Sequence, residues 1–161
     1  MPVTATKRPP EYLREARSRA GYANRVAASM AVPFSPETIG RHERGDVQMT
    51  PEDAVLYSER YGCQSLLLQY CADCPVGRMT GKAATERPLP FATLRVRRML
   101  KEAVQVADTL EEIAYDGVID DTEREDFAKA LDFLRELENT ITDMLLVGGA
   151  IKEAAPAPGK G

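Results

Sequence analysis

Residues 35–45 read SPETIGRHERG, and they contain both the start and the stop signal of one short helix. Ser35 is a favourable N-cap, and Pro36 fits the first helical position. The acidic Glu37 suits the positive end of the helix dipole. Gly45 is a typical left-handed C-cap. The stretch therefore predicts a short, well-delimited helix that ends before Gly45.

The residues on both sides of this stretch predict four more short helices, and the chain shows few strand-like patterns. They lie at about 10–19, 23–30, 51–61 and 65–71. Pro33 disfavours a helix through Val32, so a tight turn separates the second and third helices. Five short helices with such a turn are typical of a compact helix-turn-helix domain.

The second half of the chain has a different pattern, in which apolar residues repeat at alternating spacings of three and four. The two stripes are Val96, Met99, Ala103, Val106, Leu110, Ile113 and Phe127, Ala130, Leu134, Leu137, Ile141, Met144. Both are heptad stripes. Asp116-Gly117 predicts a turn between them, and Asp120 with Glu123 fits a capping box. The pattern predicts an α-helical hairpin.

Two helices alone leave apolar residues beside these stripes without a partner. Those residues are Leu100, Ala107, Leu131, Phe133 and Leu145. Two hairpins packed into a four-helix bundle would bury them. We therefore expect a homodimer that forms through residues 91–148.

The sequence thus predicts an all-α protein with two modules. The first is a helix-turn-helix domain over 10–74, and the second is the hairpin over 91–148. Residues 75–90 contain several prolines and glycines and are predicted to form a linker. Residues 1–9 and 149–161 are predicted to be flexible tails.

Composition limits the possible functions of these 161 residues. The formal charge is −4, but residues 1–46 have a net charge of +3 and residues 91–161 of −6. No apolar run approaches the ~18 residues of a membrane span. The first residues contain no secretory signal, so we expect a cytoplasmic protein without membrane contact. With one histidine and no nucleophile or phosphate-loop motif, we expect neither an enzyme nor a cofactor.

Three cysteines leave a question about metal binding. Cys71 and Cys74 form a CxxC pair, and Cys63 lies eight residues before it. A zinc site usually needs four ligands, and the obvious fourth is His42 on the third predicted helix. Reduced thiols that pack as small apolar residues explain the pattern better. We therefore predict no metal, with zinc at Cys63, Cys71 and Cys74, or a redox-active CxxC, as the less favoured alternatives.

The stretch from Glu11 to about Tyr70 resembles the phage-repressor/Cro-type (Xre) helix-turn-helix family, whose fold is the five-helix lambda-repressor-like domain. Leu13, Arg14 and Arg17 match on the first helix and Gly21 after it, Val26-Ala27-Ala28 on the second, Ile39 to Gly45 on the third, and Ala54–Tyr61 with Gly62 on the fourth. The resemblance implies an ion pair between Glu43 and Arg17 that holds the first helix against the third. That pair would be structural.

The resemblance also implies which residues contact DNA. The third helix, residues 35–44, would lie in the major groove with its first residues at base edges. Expected base contacts are Glu37, Thr38 and Arg41, whose fork matches guanine O6 and N7. Expected phosphate contacts are Asn24, Arg25 and Arg44. Asn24 stands where the family commonly has Gln.

The sequence therefore predicts a regulator of transcription that binds double-stranded DNA. It would be a phage-like repressor or an activator, binding a pseudo-palindrome as a dimer. The alternative is an antitoxin-like or adaptor protein, in which the acidic hairpin binds another protein and the DNA-binding domain is vestigial. A basic surface over the third helix would favour the first function.

Overall fold

The structure is a computed structural model that describes residues 9–154, and within this range it is all-α, with no strand. This confirms the predicted all-α class. The helices are α1 Glu11–Arg19, α2 Arg25–Ser29, α3 Pro36–Arg44, α4 Pro51–Tyr61, α5 Ser65–Asp73, α6 Pro75–Thr80, α7 Leu89–Ala114 and α8 Arg124–Ala154. The described residues form two compact units, 9–73 with 149–154 and Cys74–Gly148.

The start and stop signals of α3 act as predicted, and α4 also begins with a side-chain cap. Ser35 Oγ accepts a hydrogen bond from the Thr38 backbone N–H at 3.1 Å, and Gly45 adopts a left-handed φ of 73°. Thr50 and Asp53 form a reciprocal capping box at the start of α4. Since each cap satisfies a backbone donor that the helix itself cannot satisfy, the local sequence alone sets these ends.

Helix α2 is shorter than predicted, at Arg25–Ser29 instead of about 23–30. Asn24 is extended, and its side-chain oxygen accepts from the Ala27 N–H at 2.8 Å. A residue in this role precedes the helix, so α2 begins one position after it.

The core of the first unit is an apolar cluster to which all five of its helices or their connections contribute. Tyr57 of α4 is its largest fully buried side chain. The ring centroids of Phe34 and Tyr61 lie 5.1 and 5.4 Å from that of Tyr57, within the range of favourable aromatic pairs. The buried members are Leu13, Ala16, Ala28, Val32, Ile39, Met49, Ala54, Tyr57, Tyr61, Cys63 and Leu66.

Residues 75–90, which the sequence predicts as a linker, are an ordered part of the second unit. They contain α6, and the segment that follows α6 is hydrogen-bonded to α8. Asn139 accepts from the Ala83 N–H at 2.8 Å and donates to the Gly81 carbonyl at 3.2 Å. Asp143 accepts from the Thr85 N–H at 2.7 Å. Prolines and glycines indicated the irregular backbone, but not these distant partners.

The side chain of Arg95 in α7 is bonded to two residues of α8. This arginine donates to Asp143 at 3.1 Å and pairs with Glu136 at 3.5 Å. The cap before α8 is present, since the Glu123 N–H donates to Asp120 and Glu123 accepts from the Asp120 N–H. Two residues of the predicted α7 stripe, Met99 and Ile113, are buried.

The predicted stripe on α8 is only partly correct. Leu134 and Ile141 are 42% and 43% exposed, whereas Thr140 and Val147 are buried. The inner seam consists of Ala130, Phe133, Leu137, Thr140, Met144 and Val147, all buried or half-buried. Since α8 has apolar residues on two adjacent faces, the spacing alone did not determine which face is buried.

The predicted tails differ from the structure at one end. Helix α8 continues to Ala154, so residues 149–154 are helical instead of a flexible tail. Residues 1–8 of the first predicted tail and 155–161 of the second lie outside the described residues.

Candidate nucleic-acid interface

Helix α3 has a buried rear and an exposed front. Ile39, His42 and Glu43 are buried, while Glu37 and Arg41 are exposed. This division follows from the 3.6-residue period, because positions three and four apart share a side of the helix. We define the front face of α3 as Glu37, Arg41 and Arg44, which is also exposed.

Glu43 ties three helices together behind this face. Its Oε1 accepts from Arg17 Nε of α1 at 2.6 Å, and its Oε2 accepts from Arg25 Nε of α2 at 2.8 Å. Arg17 also donates to the Tyr22 carbonyl at 2.9 Å. The ion pair expected for Arg17 and Glu43 is therefore present in the structure. The side chains of Arg17 and Glu43 are 8% and 2% exposed, so the pair is shielded from water.

The expected phosphate-binding arginines are both paired with a carboxylate, which the sequence did not indicate. Arg25 is bound to Glu43, and Arg44 Nε donates to Asp46 Oδ2 at 2.8 Å. Their side chains remain 39% and 51% exposed. In each case the hydrogen bond uses Nε, and the terminal nitrogens donate to no acceptor among the described side chains.

The other expected contacts are placed as follows. Arg41 and Glu37 are exposed and form no ion pair with any described residue. Thr38 is half-buried, and its hydroxyl lies 2.9 Å from that of Ser35, which leaves its methyl group as the part that is free to contact a base. Asn24 is exposed and uses its carbonyl oxygen as the cap of α2, so its amide nitrogen is left for a ligand.

His42 is part of the core behind α3. Its Nδ1 lies 3.1 Å from the Tyr57 hydroxyl, and its ring meets those of Phe34 and Tyr57 edge-on. Burial disfavours the imidazolium form and lowers the pKa of His42 below 6.5, although Asp53 acts in the opposite direction. This histidine supports the position of α3 instead of facing solvent.

The cysteines are dispersed among different roles. Cys63 is buried with its sulfur 3.3 Å from the Ser65 hydroxyl, Cys71 is exposed, and the Cys74 sulfur accepts from the Gly77 N–H at 3.2 Å. Within residues 9–154, no group of three or more His, Cys, Asp or Glu side chains is arranged to hold a metal ion.

The carboxylate partners of Arg25 and Arg44 were not predicted from the sequence. The only local signal was Gly40, a glycine in the middle of a helix that has clear start and stop signals. Such a glycine costs about 1 kcal/mol relative to alanine, so it indicates that another group lies close to the backbone there.

None of the described helices is long and apolar enough to cross a membrane. Comparison of the chain with protein-family models, with curated proteins and with solved structures returns no match.

Proposed function

We propose that this protein is a sequence-specific regulator of transcription that binds double-stranded DNA. Its first unit would be a lambda-repressor-like helix-turn-helix domain of the phage-repressor/Cro type, with α3 in the major groove. The observation that carries the proposal is the construction of α3. Its rear is held by the buried Glu43, and its front presents Arg41 and Glu37 without partners among the described residues.

In this proposal each exposed residue around α3 has a separate task. Arg41 donates two hydrogen bonds to a guanine, Glu37 accepts from a cytosine amino group, and the Thr38 methyl contacts a thymine. The free amide of Asn24 donates to a phosphate. Contacts of this last kind provide orientation and affinity without sequence information.

The second unit would join two copies of the chain. Helix α8 has an outer stripe of apolar side chains in addition to its inner seam. The stripe consists of Leu131, Leu134, Ile141 and Leu145, which are 47%, 42%, 43% and 58% exposed. A second copy of the same stripe would bury them in a four-helix bundle. Two DNA-binding units would then contact half-sites one helical turn apart, about 34 Å, or a multiple of it.

The central test is selection of random-sequence DNA duplexes by the purified full chain. We expect enrichment of a pseudo-palindromic site. Arg41→Ala should then weaken binding to that site about tenfold to a hundredfold, the value of one bidentate base contact, and should leave binding to unrelated DNA almost unchanged.

The matched control is Arg60→Ala, which removes one exposed arginine from α4. It should leave the preference for the selected site intact. An equal loss on every DNA sequence in Arg41→Ala would contradict base recognition by this residue.

The dimer is tested separately by sedimentation at micromolar concentration. We expect a dimer for the full chain and a monomer for Ile141→Glu, because a buried carboxylate without a partner is costly. Asp132→Asn changes an exposed residue of the same helix outside the stripe and should remain dimeric. A monomeric parent chain would overturn the proposed dimer.

One observation favours the second candidate function, an antitoxin-like or adaptor protein with a vestigial DNA-binding domain. Arg25 and Arg44 are both paired with carboxylates, so the surface near α3 has little unbalanced positive charge. Weak attraction for DNA would follow. Absence of any enrichment at low salt would favour this candidate over DNA binding.

A further inference from the structure

Gly40 lies beneath two arginine side chains. A Cβ atom at this position would lie 3.0 Å from Nη1 of Arg44, 3.1 Å from Nη1 of Arg25 and 3.3 Å from Cζ of Arg25. The two guanidinium groups come from different helices, α2 and α3, and lie over the same backbone atom. The absence of a side chain at Gly40 is what makes room for both.

Each of the two guanidinium groups is balanced by a carboxylate of its own, and the two share no acceptor among the described residues. Glu43 accepts from Nε of Arg25, and Asp46 accepts from Nε of Arg44. These two carboxylates fix the direction of each side chain through its inner nitrogen. The terminal nitrogens meet no acceptor among the described residues and are partly exposed to solvent.

This arrangement is suited to an anion with several acceptor oxygens. A guanidinium group donates in a rigid planar fork that matches phosphate, and hydrogen bonds to a charged oxygen are about 2.7–2.9 Å long. A phosphate between the two groups would accept hydrogen bonds from the terminal nitrogens of both arginines, while the carboxylates keep their bonds to Nε. A single point-like acceptor would satisfy only one of them.

We propose that Arg25 and Arg44 form one binding site, above Gly40, for a single phosphate group of the DNA backbone. The identity of the phosphate as DNA rests on the proposed function, whereas the site itself does not. Glu43, Asp46 and Gly40 are positioning residues in this site: the first two orient the guanidinium groups, and the third lets them converge.

The site can be tested without DNA by titrating the full chain with inorganic phosphate at constant ionic strength. We expect the side-chain Nε–H NMR signals of Arg25 and Arg44 to shift together, with one common affinity. The Nε–H signal of Arg60 should stay in place. Equal shifts at all three arginines, or none at Arg25 and Arg44, would overturn the site.

DNA binding then tests whether one phosphate is shared. For B-DNA the slope of log Kobs against log salt concentration changes by about 0.9 for each phosphate contact. Arg25→Ala and Arg44→Ala should each reduce this slope by no more than about 0.9, and the double variant should reduce it by about 0.9 in total. A reduction of about 1.8 in the double variant would show two separate phosphates and overturn the proposal.

Gly40→Ala provides an independent variant that keeps both arginines. The added methyl group should displace the guanidinium groups slightly, reduce their common affinity for phosphate, and weaken DNA binding without a change in net charge. Undiminished phosphate shifts in this variant would contradict the role of Gly40. If phosphate binds but no duplex does, the site stands with another phosphate source, and the proposed DNA-binding function fails.

Discussion

Each of the two units contains one buried carboxylate that bridges two arginines. The side chains of Glu43 and Asp143 are only 2% and 3% exposed. The bridged arginines are Arg17 and Arg25 for Glu43, and Arg87 and Arg95 for Asp143. Among the described residues, a buried carboxylate bound by two arginines therefore connects helices of the first unit, and another connects α8 with α7 and the segment before it.

The two carboxylates differ in the environment of their partners. Arg17 is 8% exposed, whereas Arg87 and Arg95 are 40% and 26% exposed. If the carboxylate is removed, water can reach the arginines of the second unit but not Arg17. The free-energy cost of breaking a buried ion pair therefore depends on how well water can solvate the partner that remains.

The largest effect is expected for Glu43→Ala. This change leaves Arg17 buried without a counter-ion, and the free energy of unfolding should fall by about 3–5 kcal/mol. Urea denaturation followed by circular dichroism measures the loss. Arg17→Met combined with Glu43→Leu should recover most of it, because an apolar pair of similar volume replaces both charges. A loss below about 1 kcal/mol in Glu43→Ala would contradict the buried pair.

Asp143→Asn is expected to cost less, about 1.5–3 kcal/mol, since its partners are partly hydrated and an amide still accepts one hydrogen bond. Hydrogen exchange provides a local measurement, in which the Thr85 amide should lose protection. Glu136→Gln removes only the exposed partner of Arg95 and serves as the control. An effect as large as that of Glu43→Ala would abolish the distinction between the two units.

Helix-interior glycines allow a second contrast between the units. A Cβ at Gly148 would meet nothing within 4 Å, whereas one at Gly40 would meet two guanidinium groups. Gly148→Ala should therefore raise the free energy of unfolding by up to about 1 kcal/mol, the difference in helix propensity. Gly40→Ala should raise the free energy of unfolding by less, because the added Cβ meets the two guanidinium groups. Thermal denaturation of both variants measures the two changes in stability. An equal increase would mean that the guanidinium groups move aside at no cost in free energy.

The smallest effect concerns pH and is confined to the first unit. The pKa of His42 is lowered in the fold by burial, so the unfolded chain binds a proton at a higher pH than the folded chain. The contribution of neutral His42 to stability is present above pH 6.5 and is lost as pH falls towards the folded pKa. Urea denaturation at pH 7.5 and 5.5 should show this loss, and His42→Gln should reduce it. Higher stability at pH 5.5 would contradict a buried neutral imidazole.

Features that depend on neighbouring residues were predictable from the sequence. Ser35 and Asp120 were recognised as caps because their partners lie three positions away. Features that depend on distant residues were not predictable. The bond from Arg25 to Glu43 spans 18 positions and the one from Arg87 to Asp143 spans 56, and no spacing rule connects such pairs.

The outer stripe of α8 shows the same limit within one helix. Heptad spacing established that Leu134 and Ile141 belong to an apolar face, but α8 has two such faces, and only packing decided which one is buried. The sequence by itself determined the all-α class, the helix ends with their caps and the turn between α2 and α3, because these depend on local propensity. Tertiary structure alone decided the partners of the buried carboxylates and the convergence of Arg25 and Arg44 over Gly40. The physical reason is that burial brings together residues far apart in the chain and removes the water that would otherwise solvate them.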